Sequence, residues 1–145
     1  MRSKLYLLYA ASKSNVKRIV YSASSSCYGN SKKVPQQEDD LANPLSPYGL
    51  QKYIGEQYCR MFSQVYNLDT VSLRYFNVFG PRQDPASPYS GVISIFIHEM
   101  LKKKPPIIFG DGLQTRDFVY VKDIVSALPK QGRGGTDGGG ADQKS

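Results

Sequence analysis

The sequence predicts an α/β fold built on a parallel sheet. Three observations carry the prediction. Apolar residues recur at helical spacing in the longer segments, as at Ile54, Tyr58, Met61 and Val65. Short β-branched and aromatic runs, Lys17–Ala23 and Thr70–Tyr75, alternate with those segments. Gly and Pro clusters punctuate the joins. Helices alternating with strands indicate parallel architecture.

Taken in order, residues 3–15 read as an amphipathic helix. The start, Met1–Ala11, has a faint look of a secretory leader, but its apolar stretch is short and runs into Ser12-Lys13-Ser14-Asn15. Lys17–Ala23 follows as a strand, then residues 24–45 as a long loop rich in Ser, Pro and charge. Pro47 suits the first turn of the next helix. Ile54, Tyr58, Met61 and Val65 mark its buried stripe, and Asn67 ends it. Thr70–Tyr75 is a strand and 76–90 a loop carrying Gly80, Pro81, Pro85 and Pro88. Ile93–Lys103 is a second long helix, broken by Pro105-Pro106. Ile107–Phe109 reads as a short strand, Gly110-Asp111-Gly112 as a turn, and Phe118–Val121 as extended. Asp123 begins a last short helix. Residues 1–128 form one domain. Residues 129–145 are Gly-rich, polar and aperiodic, and read as a disordered tail.

At 145 residues with 40% apolar content, the chain can bury one core. No stretch approaches the ~18 apolar residues of a membrane span, so none is expected. Cys27 and Cys59 show neither metal-ligand spacing nor a disulfide framework, and no metal is expected. Both read as small buried thiols, which fits a reducing cytoplasm. The net charge of +7 raises nucleic acid as a partner. The basic residues are scattered, however, and the one run, Lys102-Lys103-Lys104, sits at a helix end where cations favour the macrodipole. No nucleic-acid partner is therefore expected. His98 lies mid-helix beside Glu99 and reads as structural.

Chemistry concentrates around Tyr48-Gly49-Leu50-Gln51-Lys52 and the upstream run Ser24-Ser25-Ser26-Cys27-Tyr28-Gly29. Residues four apart on a helix share a face, so Lys52 can sit beneath the Tyr48 phenol. A free tyrosine ionises near pH ~10 and is a poor base at neutral pH. A neighbouring ammonium favours the phenolate. A serine hydroxyl in the same pocket can share the substrate's proton, giving acid–base machinery without His, Asp or Glu. Taken alone, Tyr-x-x-x-Lys is more often a solvated Lys beside a packed Tyr, and a serine run is as often a polar turn capping itself.

Four segments in order sharpen the reading: Val16–Gly29, Asn43–Tyr48, Leu73–Arg82 and Phe109–Phe118. Together they resemble the extended short-chain dehydrogenase/reductase family of NAD-dependent epimerases and dehydratases, nearest the UDP-glucose or UDP-N-acetylglucosamine 4-epimerases. The resemblance implies part of a Rossmann-like parallel sheet with part of a small substrate-binding lobe. It implies NAD as cofactor and a UDP-sugar as substrate. Tyr48 would take and return the sugar 4-hydroxyl proton, Lys52 would hold the nicotinamide ribose, and Ser24, with Ser25 and Ser26 beside it, would bond the sugar oxygen. Ser22, Tyr75 and Val78 would line the nicotinamide. Asn77 and Arg116 would hold the diphosphate, Arg82 more weakly, and Val92, Ile107 and Phe109 would flank the uridine. Ser94 stands where many relatives have proline.

Dehydrating relatives carry an Asp-Glu pair just before the position of Tyr28. Ser25 and Ser26 occupy that place, which leaves a 4-epimerase as the implied activity. The family's Gly-rich pyrophosphate turn does not precede Lys17. The chain thus resembles a partial enzyme, expected to be inactive alone and homodimeric when complete. The alternative expectation is a truncated, non-catalytic piece or partner module.

Overall fold

The computed structural model describes residues 2–87 and 90–132. Among the described residues it is an α/β arrangement of four helices and two small parallel sheets. Helix α1 spans Arg2–Ser12, and strand β1, Arg18–Ser22, follows it. A 3-10 turn at Ser25–Tyr28 interrupts the expected long loop. Helix α2 covers Pro47–Tyr66 and strand β2 Asp69–Leu73. Strand β3, Asn77–Phe79, helix α3, Val92–Leu101, strand β4, Phe118–Tyr120, and helix α4, Val121–Gly132, complete the order.

Strands β1 and β2 run parallel, in register from Arg18↔Asp69 to Ser22↔Leu73. A parallel pair needs a crossover, and α2 supplies it. Strands β3 and β4 form a second parallel pair, from Asn77↔Phe118 to Phe79↔Tyr120.

Local chemistry explains the boundaries of α2. The Ser46 side chain accepts from the Gly49 N–H at the first turn, and Pro47 fills a position whose N–H would be unpaired. Asn67 closes the helix in the left-handed region, φ 52°, with its N–H bonded to the Phe62 carbonyl. Both ends lie where the sequence puts them. Its buried face does not: Met61 and Val65 are exposed, and Gly49, Gly55, Cys59 and Phe62 are buried instead. Cys59 and Phe62 join Leu8, Ala11 and Leu68 in the core, with Leu5, Ile19, Tyr21 and Tyr58 packed around them.

Other expectations are corrected too. Residues 76–90 are not all loop, because β3 finds β4 as a partner. Ile107–Phe109 is not a strand: no partner pairs with it, and Ile107, Ile108 and Phe109 are exposed. Helix α4 starts ahead of Asp123 and continues past residue 128, and residues 133–145 lie outside the described residues. Helix α3 stops at Leu101 and Lys102 caps it with its N–H on the Glu99 and His98 carbonyls, so the lysine run is a solvated helix end as expected.

A polar clamp joins these layers. Arg74, just after β2, makes a two-pronged pair with Glu56 of α2, Nε to Oε2 at 3.0 Å and Nη2 to Oε1 at 2.6 Å. Its Nη1 donates to the Glu38 carbonyl at 3.1 Å, and its guanidinium lies 4.7 Å from the Tyr28 ring centroid. The Glu56 carboxylate holds the Arg74 pKa above its ordinary range, against desolvation. Both side chains are largely buried, so removing one partner strands a charge. Arg74→Ala is expected to lower the unfolding free energy by about 3 kcal/mol in a urea titration, and the double change Arg74→Met with Glu56→Leu by much less. Equal losses in both variants would show that the clamp is not a coupled pair.

Candidate functional site

The site is built where β1 ends. Ser24 caps the 3-10 turn, its Oγ accepting from the Ser26 N–H at 3.2 Å and the Ser26 hydroxyl at 2.8 Å. Two bonds therefore enter the Ser24 oxygen, and its own proton remains to donate. The Ser25 N–H donates to the Tyr75 carbonyl at 2.9 Å, which ties the turn to the chain leaving β2. Gly29 closes the turn at φ +64°, and a Cβ there would run into the Asn43 carbonyl. The Asn43 N–H in turn donates to the Cys27 carbonyl at 2.8 Å.

The first turn of α2 docks directly on this structure. A Cβ on Gly49 would stand 2.8 Å from the Ser26 carbonyl oxygen, so only glycine allows the approach. Lys52, a turn further on, donates from Nζ to the Ser22 carbonyl at 2.8 Å. The same ammonium lies 5.8 Å from the centroid of the Tyr48 ring. The Tyr-x-x-x-Lys face thus meets the end of β1 as its spacing requires. Tyr48 itself is half-exposed, at 52%.

A groove of about 840 Å³ opens beside the turn. Ser24, Ser25 and Ser26 line it together with Tyr75, Phe76, Asn77, Thr115, Arg116 and Asp117. Asn77 is fixed by two bonds to the Asp117 carbonyl, from its N–H at 3.2 Å and its Nδ2 at 2.8 Å. Arg116 is exposed and uses Nη1 on the Thr115 carbonyl at 2.8 Å, which leaves most of its five donors for an anion. The groove thus gathers hydroxyls, an amide and a guanidinium in its lining.

The structure brings Ser24, Ser25, Ser26, Asn77, Tyr75 and Arg116 to one groove, with Tyr48, Lys52 and the Ser22 carbonyl clustered at the end of β1. Val78 sits half-buried in β3. Arg82, at φ 68° in the following loop, does not line the groove, and neither do Val92, Ile107 and Phe109. Among the described residues no three His, Cys, Asp or Glu side chains gather as a metal site. No helix among them is long and apolar enough to cross a membrane.

Sequence reasoning missed Arg74, Glu56 and Tyr28, which brace the serine turn from behind. Nothing in their spacing marks them, because the pair joins positions far apart in the chain. It also missed Gly49, whose only signal is a small residue directly after Tyr48.

Comparison with known proteins bears on this geometry. The pattern of the NAD dependent epimerase/dehydratase family matches residues 1–130. A putative UDP-glucose 4-epimerase of Methanocaldococcus jannaschii is 51% identical over 116 residues, 79% of this chain and 38% of the relative. The UDP-glucose 4-epimerase of Mycolicibacterium smegmatis is 42% identical over 92% of this chain and 42% of its own length. A UDP-N-acetylglucosamine 4-epimerase from Methanobrevibacter ruminantium, solved with UDP-N-acetylmuramic acid, superposes with a TM-score of 0.88 at 45% identity, covering 91% of this chain and 43% of that one. The UDP-glucuronic acid 4-epimerase of Bacillus cereus, solved with UDP-glucuronic acid and NAD, gives 0.77 at 40% identity, over 88% of this chain and 40% of that one. The chain thus spans about 40% of the length of these relatives.

Burial raises the pKa of both thiols, Cys27 inside the serine turn and Cys59 in the core. A raised thiol pKa contributes stability that is present below the unfolded value, near pH ~8.5, and is lost as pH climbs past it. Ellman's reagent at pH 8 is expected to leave both thiols untouched in the folded chain and to label both in urea. Fast labelling of Cys27 without urea would show that the serine turn is not closed as described.

Proposed function

The chain belongs to the NAD dependent epimerase/dehydratase family, and from that premise we propose that it supplies the proton-handling and sugar-phosphate half of a UDP-hexose 4-epimerase. One observation carries the reading. The serine turn, Asn77 and Arg116 share a groove, and Lys52 is tied to the Ser22 carbonyl at the end of β1 with its ammonium 5.8 Å from the Tyr48 ring centroid. Hydroxyls suit a sugar, and a guanidinium with an amide suits a diphosphate. The relatives named for UDP-sugar 4-epimerisation support the same substrate class.

The residues divide the work. Tyr48 takes the C4 hydroxyl proton and later returns it. Lys52 sets the charge around that phenol and, with one donor on the Ser22 carbonyl, keeps others for ribose hydroxyls. Ser24 donates its remaining proton to the sugar oxygen, held in position by Ser26. Asn77 and Arg116 anchor the diphosphate, so the sugar is presented at fixed reach. Bound NAD would supply the hydride exchange at C4. Lys52 and Ser22, joined at the end of β1, with Tyr75 just after β2 and Val78 in β3, are the residues assigned to the nicotinamide end of that cofactor.

A second reading has its own observation. Residues 1–17 hold no glycine, so the Gly-rich pyrophosphate turn is not supplied by the residues of this segment. On that reading the chain is a module that takes NAD only together with another chain. We further propose a cytoplasmic location, in keeping with two free thiols, and pairing of the complete protein with a second copy through exposed Tyr6, Leu7, Met61 and Val65 of α1 and α2.

The test joins this chain to the preceding half of the Methanocaldococcus jannaschii relative and assays UDP-glucose and UDP-galactose interconversion. Turnover is expected. Tyr48→Phe should lower kcat by about 10²–10⁴-fold and leave UDP-glucose binding within about twofold. Arg116→Ala should instead weaken that binding about tenfold or more. A hybrid that binds NAD and UDP-glucose but converts neither sugar would favour the non-catalytic reading.

A further inference from the structure

We infer that Tyr21, with Lys4 behind it, is the positioning residue for Lys52. Nothing in the groove requires Tyr21, which lies in β1 with its ring turned toward α2 and α1. Its contacts with Lys52 come at both ends of that residue. The Tyr21 hydroxyl donates to the Lys52 main-chain carbonyl at 3.3 Å. The Tyr21 ring centroid lies 5.8 Å from the Lys52 ammonium, the same distance as the Tyr48 ring. A cation within about 6 Å of a ring centroid is attracted to it. The ammonium is thereby held among two rings and the Ser22 carbonyl, at 2.8 Å, rather than swinging on its flexible stem.

Two further features fix Tyr21 itself. Lys4 of α1 donates from Nζ to the Tyr21 oxygen at 3.0 Å and stands 5.3 Å from the ring centroid. With its oxygen accepting from Lys4, the hydroxyl proton is directed to the Lys52 carbonyl. Gly55 makes room: a Cβ there would lie 2.6 Å from the Tyr21 ring carbon bearing the hydroxyl, and closer still to the oxygen. The series Lys4, Tyr21, Gly55 and Lys52 therefore connects α1 to the end of β1 through one phenol.

The catalytic meaning of this device rests on the epimerase reading, but the geometry does not. In the full 145-residue chain labelled with ¹³Cε-lysine, Lys52 is expected to show an upfield ring-current shift, identified by its loss in Lys52→Arg. Tyr21→Phe, which keeps the ring and removes both hydroxyl bonds, should move that signal at least halfway to its unfolded position. Lys4→Met, a change on a separate helix, should move it in the same direction. Thermal melts run alongside separate this from simple destabilisation, since a merely structural tyrosine would lower the melting temperature and leave the Lys52 signal in place. A Lys52 signal unmoved in folded Tyr21→Phe and Lys4→Met overturns the assignment. In the active hybrid, Tyr21→Phe should lower kcat about fivefold with KM unchanged, on the scale of the lost Tyr21–Lys52 hydrogen bond. An inactive parent hybrid would count against the epimerase reading alone, because the lysine shifts are read without substrate or cofactor.

Discussion

Gly49, Lys52 and Gly55 recur at every third position of α2 and form the stripe by which that helix sits on the end of β1. The two glycines remove side chains where the Ser26 carbonyl and the Tyr21 phenol come close. Between them the lysine spans the gap to the Ser22 carbonyl. Each contact constrains the others, because a helix lifted by one Cβ would carry Tyr48 away from the serine turn and pull Lys52 off its carbonyl. Further along α2, Cys59 and Phe62 extend the same seating into the apolar core with Leu8, Ala11 and Leu68. The site and the core are thus two ends of one helix–strand contact.

That core is small. Among the described residues the buried apolar set is Leu8, Ala11, Ala23, Cys27, Tyr28, Cys59, Phe62 and Leu68, and α3 buries none of its residues. Apolar burial therefore leaves part of the organisation to polar links. The Arg74–Glu56 pair does this work for the serine turn, since the same guanidinium lies over Tyr28, and Tyr28 stacks on Phe76 at 6.4 Å. Lys4 and Tyr21 do it for α1. A paired, partly buried charge adds little net stability but makes departures expensive, because each partner would be left unpaired. Such links specify one arrangement more than they deepen it.

The legible parts of the sequence were those whose chemistry is local. Pro47 and Asn67 mark the ends of α2 because caps depend on a few adjacent residues. Tyr48 and Lys52 share a face because the helix repeat says so, and the serine run forms a turn because Ser24 caps its own backbone. The buried stripe of α2 was misread for a physical reason. Its true inner face carries Gly and Cys, which weigh little in a hydrophobic pattern, while larger Met61 and Val65 lie round the helix in solvent. Strand β3 escaped notice because three residues become a strand only when β4 arrives to pair with them, and Ile107–Phe109 failed to become one because nothing does. Arg74 and Glu56 were invisible because their partnership exists only after β2 has returned beside β1.

On the proposed reading, the residues that would handle the proton and those that would hold the diphosphate are held with different stringency, and those two tasks would explain why. Proton exchange at a sugar hydroxyl needs donor and acceptor within hydrogen-bond reach, so small displacements are damaging. Tyr48, Lys52 and Ser24 accordingly come from a long helix and a strand end, braced by Tyr21, Gly49 and Arg74. Holding a diphosphate is a longer-ranged charge interaction that tolerates movement. Arg116 accordingly stands on an exposed loop, tied by a single bond to its neighbour's carbonyl, and only Asn77 is anchored, through the Asp117 carbonyl. On the epimerase reading proposed above, hydrogen-bonded bracing is concentrated beside Lys52 and Ser24, while Arg116 keeps most of its donors unengaged.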